Sequence, residues 1–127
     1  MQIIFDGGCR ENGRESAKAY GSFKIEGQVT PIRKDFPELR TSNEAEMQTA
    51  CDALMYAARL LGDDSIKTDV EMWGDSQIAV FCLSGKWRIK KPHLKPFKPR
   101  FDAVRRMFKS VKLHWHGRDN SVRVLGH

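Results

Sequence analysis

The sequence has few cysteines, and they do not form the patterns that hold a small domain together. The three that occur, Cys9, Cys51 and Cys82, lie far apart, and none belongs to a CxxC pair. This argues against a disulfide framework and against a structural zinc site. We therefore expect a reduced chain in the cytoplasm.

Long hydrophobic runs and repeats are also missing. No apolar segment approaches the ~18 to 20 residues of a membrane-spanning helix, and a strand-like segment follows Met1 directly. These absences argue against membrane, secreted and collagen-like classes. What is present is 127 residues with 40% hydrophobic side chains. We expect one domain over residues 1–127, because this length supports one core and not two.

Positive charge is concentrated in one stretch of the chain. The basic segment, residues 86–112, holds 11 of the 22 Lys and Arg and only one acid, Asp102, a net charge of +10. The remaining residues carry a net charge of −4. A mildly acidic body with one strongly basic segment indicates a polyanionic partner such as nucleic acid, although a solubilising surface has the same composition.

Hydrophobic periodicity predicts an alternation of strands and helices. Three short strands joined by tight turns predict an antiparallel meander, followed by a long helix that begins near Thr41 and ends at Gly62. The predicted elements, in chain order, are strands at 2–5, 19–26 and 29–36, a helix at 41–61, a strand at 67–73, helices at 77–83 and 101–109, and a strand at 111–115.

Three acidic residues occupy the ends of these elements. Asp6 ends the first strand, Glu46 lies in the first turn of the long helix, and Asp75 follows the fourth strand. If the first and fourth strands are neighbours, their carboxyl ends meet and all three side chains share one cleft. Clustered carboxylates need hard cations such as Mg²⁺ or Mn²⁺. The same residues also suit a turn, a helix first turn and a helix cap, respectively.

Three motifs together resemble the type 1 ribonuclease H family. They are Asp-Gly-Gly-Cys-Arg-Glu-Asn-Gly at 6–13, Thr-Ser-Asn-Glu-Ala-Glu at 41–46 and Gly-Asp-Ser-Gln at 74–77. The resemblance covers essentially the whole chain. It implies an α/β ribonuclease H-like fold, with a five-stranded mixed sheet flanked by helices. It also implies an endonuclease that uses two Mg²⁺ ions, or Mn²⁺ as a substitute, to cut the RNA strand of an RNA/DNA hybrid and leave 5′-phosphate ends.

The resemblance also implies roles for individual residues. Asp6, Glu46 and Asp75 match the first three metal ligands, because the family's spacing selects Glu46 over its neighbour Glu44. Thr41 matches a position that holds a DNA phosphate. The positions that contact the hybrid are matched by Cys9, Asn12, Asn43 and Gln77. Amide side chains suit the reading of 2′-hydroxyls, but Asn12 also suits a turn and Asn43 a helix cap.

The chain departs from the family at its C-terminal end. No Asp stands at the expected fourth position, and the usual C-terminal helix is not predicted. His127 is our candidate for the fourth ligand, with Asp119, or no residue at all, as the alternatives. His116 is a candidate proton shuttle. In the basic segment, Trp87 offers either a stacking surface for the DNA strand or a core anchor.

Three functions are compatible with these residues. The first is the metal-dependent ribonuclease H, and the second is a hybrid-binding module of the same fold with weak catalysis. The third is a junction-cutting nuclease, which the 2′-hydroxyl-contacting set Asn12, Asn43 and Gln77 argues against. We expect a monomer without an obligate protein partner or membrane contact.

Overall fold

The computed structural model describes residues 1–125. It contains the strands β1 (Gln2–Arg10), β2 (Lys18–Ile25), β3 (Ile32–Phe36), β4 (Asp69–Gly74) and β5 (Ser110–Trp115). Its helices are α1 (Ser42–Leu61), α2 (Gln77–Leu83), α3 (Phe97–Arg105) and α4 (Arg118–Leu125). The strand order is β3-β2-β1-β4-β5. The first three strands are antiparallel and β4 and β5 run parallel to β1, so the predicted mixed sheet is confirmed.

The core lies between this sheet and α1. Met47 and Leu54 of the helix are fully buried and belong to one cluster with Ile3, Phe5 and Phe23 of the sheet. Most of the other buried positions of α1 are small, namely Ala45, Thr49, Ala50, Cys51, Ala53, Ala57 and Ala58. Small side chains let the helix approach the strands closely, which fixes its height above the sheet.

The first strand is longer than predicted. We expected it to end at Asp6, but it continues to Arg10 because the neighbouring strand pairs with it along its full length. Gly7 lies opposite Gly21, and Arg10 lies opposite Lys18. Strand pairing thus overrides the breaking tendency of Gly7 and its neighbour. As a result Asp6 projects from a rigid strand and not from a loop.

A gap opens between β1 and β4 beyond the first residues of the pair. The parallel pairing covers only Gln2 to Ile4, opposite Glu71 to Trp73. A Cβ on Gly74 would lie 2.6 Å from the ring of Phe5, so this glycine is required for the packing at the gap. Asp6 and Asp75 stand on the two sides of the gap.

Helix boundaries in the second half of the chain differ from those predicted. We expected a helix at 101–109, but α3 begins at Phe97 with Pro96 as its N-cap and Pro99 in its first turn. Proline is tolerated there because the first N–H groups of a helix have no intrahelical partner.

The prediction of no C-terminal helix is also wrong, because α4 follows β5 and buries Ser121 and Leu125.

Two further observations concern the described residues. Cys9, Cys51 and Cys82 are all free thiols. None of the helices in residues 1–125 has the length and apolar composition that crossing a bilayer requires.

We expect Gly7→Ala to destabilise the protein. A Cβ at this position would lie 2.7 Å from the carbonyl carbon of Ala45 and the nitrogen of Glu46, which are backbone atoms that cannot turn away. Replacing glycine in a strand otherwise stabilises, so the clash decides the sign. The expected cost is about 1 to 3 kcal/mol of unfolding free energy, measured by urea denaturation.

Gly117→Ala is the matched control, because a Cβ there meets no atom within 4 Å. Equal stabilities for the Gly7→Ala protein and the parent would show that α1 does not approach β1 as closely as described.

Candidate active site

Three carboxylates converge at the gap between β1 and β4. One oxygen from each of Asp6, Glu46 and Asp75 lies within 4.8 Å of the others. The sequence placed these residues on three separate elements, and the fold brings their side chains together. Their assignment as metal ligands remains a prediction.

Each carboxylate is positioned by its own element. Asp6 projects from β1, is 6% exposed, and accepts a hydrogen bond on Oδ1 from the Gly7 N–H at 2.9 Å. Glu46 reaches the cleft from α1, where the helix crosses Gly7. Asp75 lies between β4 and α2, and its backbone carbonyl accepts a hydrogen bond from the Trp115 indole at 3.0 Å. Asp6 and Glu46 are thus carried by regular elements, and Asp75 by a two-residue connection whose backbone is hydrogen-bonded to Trp115.

The surroundings of the site disfavour negative charge on Asp6. The pKa of Asp6 is raised from 3.8 to about 7, first by burial and then by the charge of Asp75 and a hydrogen bond with the Asp75 side chain. The Gly7 N–H and the positive charge of Arg118 oppose this increase in the pKa. Asp6 therefore keeps its proton to a higher pH than an ordinary aspartate does.

Glu46 shows the same effect. Its pKa is raised from 4.5 to about 8, mainly by burial, with a smaller contribution from the charges of Asp6 and Asp75. A hydrogen bond with the Ser76 side chain and the charge of Arg118 lower the pKa. Without a counter-ion the site is thus destabilised by each negative charge it acquires.

Ser76 and Arg118 were not identified from the sequence as site residues. Ser76 is the N-cap of α2 and accepts a hydrogen bond from the Ala79 N–H at 3.2 Å, whereas Asp75 was the cap suggested by the sequence. Its position directly after Asp75 was the available signal. Arg118 begins α4, and since that helix was not predicted, no sequence signal placed its charge near the carboxylates.

The donor atoms fit a hard divalent cation. All three groups offer carboxylate oxygens, the ligands that Mg²⁺ and Mn²⁺ prefer. Oδ2 of Asp75 is buried and has no hydrogen-bond partner in the part of the chain that the structure describes. A buried carboxylate oxygen without a partner is costly unless a cation binds it. The three residues thus form an acidic cluster whose geometry and donor atoms are compatible with a divalent cation.

A fourth ligand does not join this cluster among residues 1–125. Asp119 lies on α4 and is exposed. His127, our candidate, lies outside the described residues, so its role stays a prediction.

His116, the candidate proton shuttle, has its ring Nε2 hydrogen-bonded to the buried Ser121 hydroxyl at 2.8 Å, and burial lowers its pKa. This contact ties the loop after β5 to α4.

Hydrogen bonds already occupy several of the proposed hybrid-contacting groups. The Asn12 side-chain oxygen accepts the Ser42 N–H at 2.8 Å, and the Cys9 thiol contacts the Arg40 carbonyl at 3.4 Å. These contacts hold the loop after β1 against the start of α1. The hydroxyl of Thr41 donates to Glu44 Oε1 at 3.0 Å and accepts from the Glu44 N–H, which forms a capping box.

The remaining proposed contacts, Gln77, Asn43 and Trp87, lie on α2, on α1 and in the basic segment. Gln77 is exposed at the first position of α2, and Asn43 lies in the first turn of α1. Asn43 lines a groove of about 470 Å³ together with Trp87 and other residues of the basic segment. Trp87 is 45% exposed, so it is not a core anchor. The basic segment therefore borders the same end of α1 that carries Glu46.

Solved structures of ribonucleases H resemble this chain along nearly its whole length. LC11-RNase H1, crystallised in complex with an RNA/DNA hybrid, superposes with a TM-score of 0.79 at 23% identity, over 97% of this chain and 89% of that chain. The ribonuclease H1 of the archaeon Halobacterium salinarum gives 0.75 at 25% identity, over 97% and 89%. The N-terminal ribonuclease H domain of a Mycobacterium tuberculosis protein gives 0.71 at 22% identity, over 98% and 91%.

Neither a protein-family profile nor a curated protein sequence matches the chain. The structural likeness nevertheless covers every strand of the sheet and confirms the resemblance stated from the motifs. The chain is a type 1 ribonuclease H-like protein in its fold.

We expect the metal-free protein to lose stability as the pH rises. Folding raises the pKa values of Asp6 and Glu46 from 3.8 and 4.5 to about 7 and about 8. The folded protein therefore keeps protons that the unfolded chain has released. This contribution to stability is complete below about pH 4 and is lost as the pH rises through about 7 to 8. Denaturation in a chelator at pH 5 to 8.5 measures it.

Two comparisons make this measurement specific to the site. The Asp6→Asn, Glu46→Gln double variant should show a shallower pH dependence than the parent, and Mg²⁺ should stabilise the parent more at about pH 8 than at about pH 5. Parallel pH profiles for parent and variant would contradict the expectation.

Proposed function

We propose that this protein is an endonuclease that hydrolyses the RNA strand of RNA/DNA hybrids by a two-metal-ion mechanism. The observation that carries the proposal is the convergence of Asp6, Glu46 and Asp75, with a buried oxygen of Asp75 left without a hydrogen-bond partner among the described residues. Solved ribonucleases H of the same fold, one of them bound to an RNA/DNA hybrid, support it.

In this proposal the three carboxylates hold Mg²⁺, or Mn²⁺ as a substitute. When bound there, such ions would supply a lowered pKa for a water molecule and would offset the charge on the phosphate, and hydrolysis would leave a 5′-phosphate and a 3′-hydroxyl. Asp75, whose backbone carbonyl is fixed by Trp115, keeps its carboxylate directed into the cleft. Ser76 orients Glu46 by a hydrogen bond, and Arg118 offsets part of the negative charge.

The remainder of the surface binds the substrate. Asn43 and Gln77 face the hybrid beside the cleft, and their amides suit the 2′-hydroxyls of the RNA strand. The basic segment binds the phosphates of the DNA strand, which makes the affinity for the hybrid sensitive to salt. Asn12 and Thr41 have a second role in this proposal, because their hydrogen bonds to Ser42 and Glu44 fix the start of α1.

A weakly catalytic hybrid-binding module is the second candidate. The observation in its favour is that no fourth His, Cys, Asp or Glu joins the three carboxylates within residues 1–125. Both candidates predict hybrid binding that weakens with salt, so only metal-dependent cleavage separates them.

We expect the protein to cut a labelled RNA strand annealed to DNA, but not the same strand annealed to RNA, in Mg²⁺ or Mn²⁺ and not in a chelator. Asp75→Asn should abolish cutting, because it removes a charge from the metal ligands, while hybrid binding stays intact or becomes stronger. Gel analysis of the cleavage products and fluorescence anisotropy for binding measure the two effects.

Asp63→Asn is the matched control, since Asp63 is exposed in the 3-10 helix after α1. Undiminished cutting by Asp75→Asn would remove Asp75 from the mechanism. Tight binding by the parent without cutting in either metal would favour the hybrid-binding module.

We expect His127→Ala to lower the cleavage rate or to raise the Mg²⁺ concentration needed for half-maximal activity, because a lost imidazole ligand weakens ion binding. Metal titrations of the cleavage rate test this. If the rate and the titration match those of the parent, the assignment is wrong, and Asp119→Asn is the next variant to measure.

A further inference from the structure

The groove beside the start of α1 combines an apolar interior with a charged rim. Its interior includes Ile78 and Cys82 of α2 and Leu94. Trp87 and Ile89 of the basic segment also line it. The rim carries Asn43, Lys86, Arg88, Lys90 and Lys91. At about 470 Å³ the groove has the size of a small-molecule site, which is usually about 300 to 1,000 Å³.

Binding of backbone phosphates does not account for the apolar interior. Phosphates are held by cationic side chains and N–H groups, which the rim alone supplies. The structure nevertheless leaves Trp87 45% exposed and Ile78 37% exposed at this groove. Exposed apolar side chains that line a concave and strongly basic surface suit a ligand with a flat apolar face and a negative charge. A nucleotide has both features.

Contacts with Phe81 hold Trp87 in place, and a fixed indole ring is suited to stacking. Its backbone N–H donates to the Phe81 carbonyl at 3.0 Å, and its ring lies 4.9 Å from the Phe81 ring, centroid to centroid. The ammonium of Lys86 lies 5.7 Å from the centre of the same Phe81 ring. Because the indole is already supported by Phe81, little side-chain entropy is lost when a base packs against it.

We propose that this groove binds an unpaired nucleobase at the end of the DNA strand of the hybrid, so that the protein prefers hybrids whose DNA strand extends beyond the RNA. The proposal rests on the proposed function for the choice of strand. Asn43 at the mouth of the groove is three residues from Glu46, about 4.5 Å along α1. With the RNA strand in the carboxylate cleft, the strand that the basic segment receives is the DNA strand.

The first measurement compares the binding of three hybrids to the Asp75→Asn protein in Mg²⁺, so that cleavage does not interfere. One hybrid is blunt, one has a 5′ DNA extension of three nucleotides, and one has a 3′ DNA extension of the same length. We expect one of the extended hybrids to bind about tenfold tighter than the blunt hybrid, in the range for stacking one base on an aromatic side chain. Equal affinities for all three would overturn the proposal.

A fluorescent base reports on the groove itself. With 2-aminopurine as an unpaired base of the favoured extension, we expect its fluorescence to be quenched on binding as it stacks on Trp87. Trp87→Ala should remove both the quenching and the advantage over the blunt hybrid. Ile78→Glu, which places a negative charge at the groove and leaves Trp87 intact, should remove the advantage as well. Leu60→Ala truncates another exposed side chain, outside the basic segment, and should keep both.

The remaining outcomes separate this inference from the proposed function. If both groove variants keep the advantage, or if an RNA extension gives it and a DNA extension does not, the proposal is wrong. If the parent protein fails to cut the blunt hybrid but still binds and quenches the DNA-extended one, the groove assignment holds and the proposed nuclease fails. If the parent cuts the blunt hybrid and no extension is favoured, only the groove assignment fails.

Discussion

The backbone contact between α1 and β1 at Gly7 sets the geometry on which the site depends. Any side chain larger than hydrogen at Gly7 would overlap the backbone at Ala45 and Glu46. The small buried residues of α1 allow this close approach, and the fully buried Met47 and Leu54 hold it in place. Since Glu46 sits at the contact itself, main-chain packing fixes the position of its Cα relative to Asp6 on β1.

The three carboxylates work against the stability of the fold that holds them. Burial and mutual repulsion raise the pKa values of Asp6 and Glu46 to about 7 and about 8, which means that their ionised forms are disfavoured in the folded protein. Arg118 and the Ser76 side chain relieve only part of this cost. Such opposition between stability and local charge is typical of sites built to hold a cation. In the proposed function, the energy that disfavours the ionised carboxylates contributes to the affinity for the metal.

The charge of the chain is divided between two neighbouring surfaces. The carboxylates occupy the gap between β1 and β4, and the basic segment lies beside the start of α1. Two buried side chains, Leu94 and Phe97, anchor the basic segment to the core, so its cations are presented from a fixed backbone. A fixed arrangement lowers the entropy lost on binding an extended polyanion. In the proposed function, the basic surface attracts the hybrid and the acidic site cuts it, so the two tasks fall to different residues on a fixed backbone.

The sequence by itself determined the helices that begin and end at residues with capping or helix-terminating side chains. Thr41 caps α1, Gly62 ends it, and Ser76 caps α2, so the bounds of both helices were predicted within one residue. The spacing of the motifs also selected Asp6, Glu46 and Asp75 from the sequence. Tertiary structure alone decided the rest. Pairing with β2 extended β1 through two glycines, packing on the sheet formed α4, and the same packing brought Arg118 to the carboxylates. These features depend on contacts between residues distant in the chain, and such contacts have no signature in a local pattern.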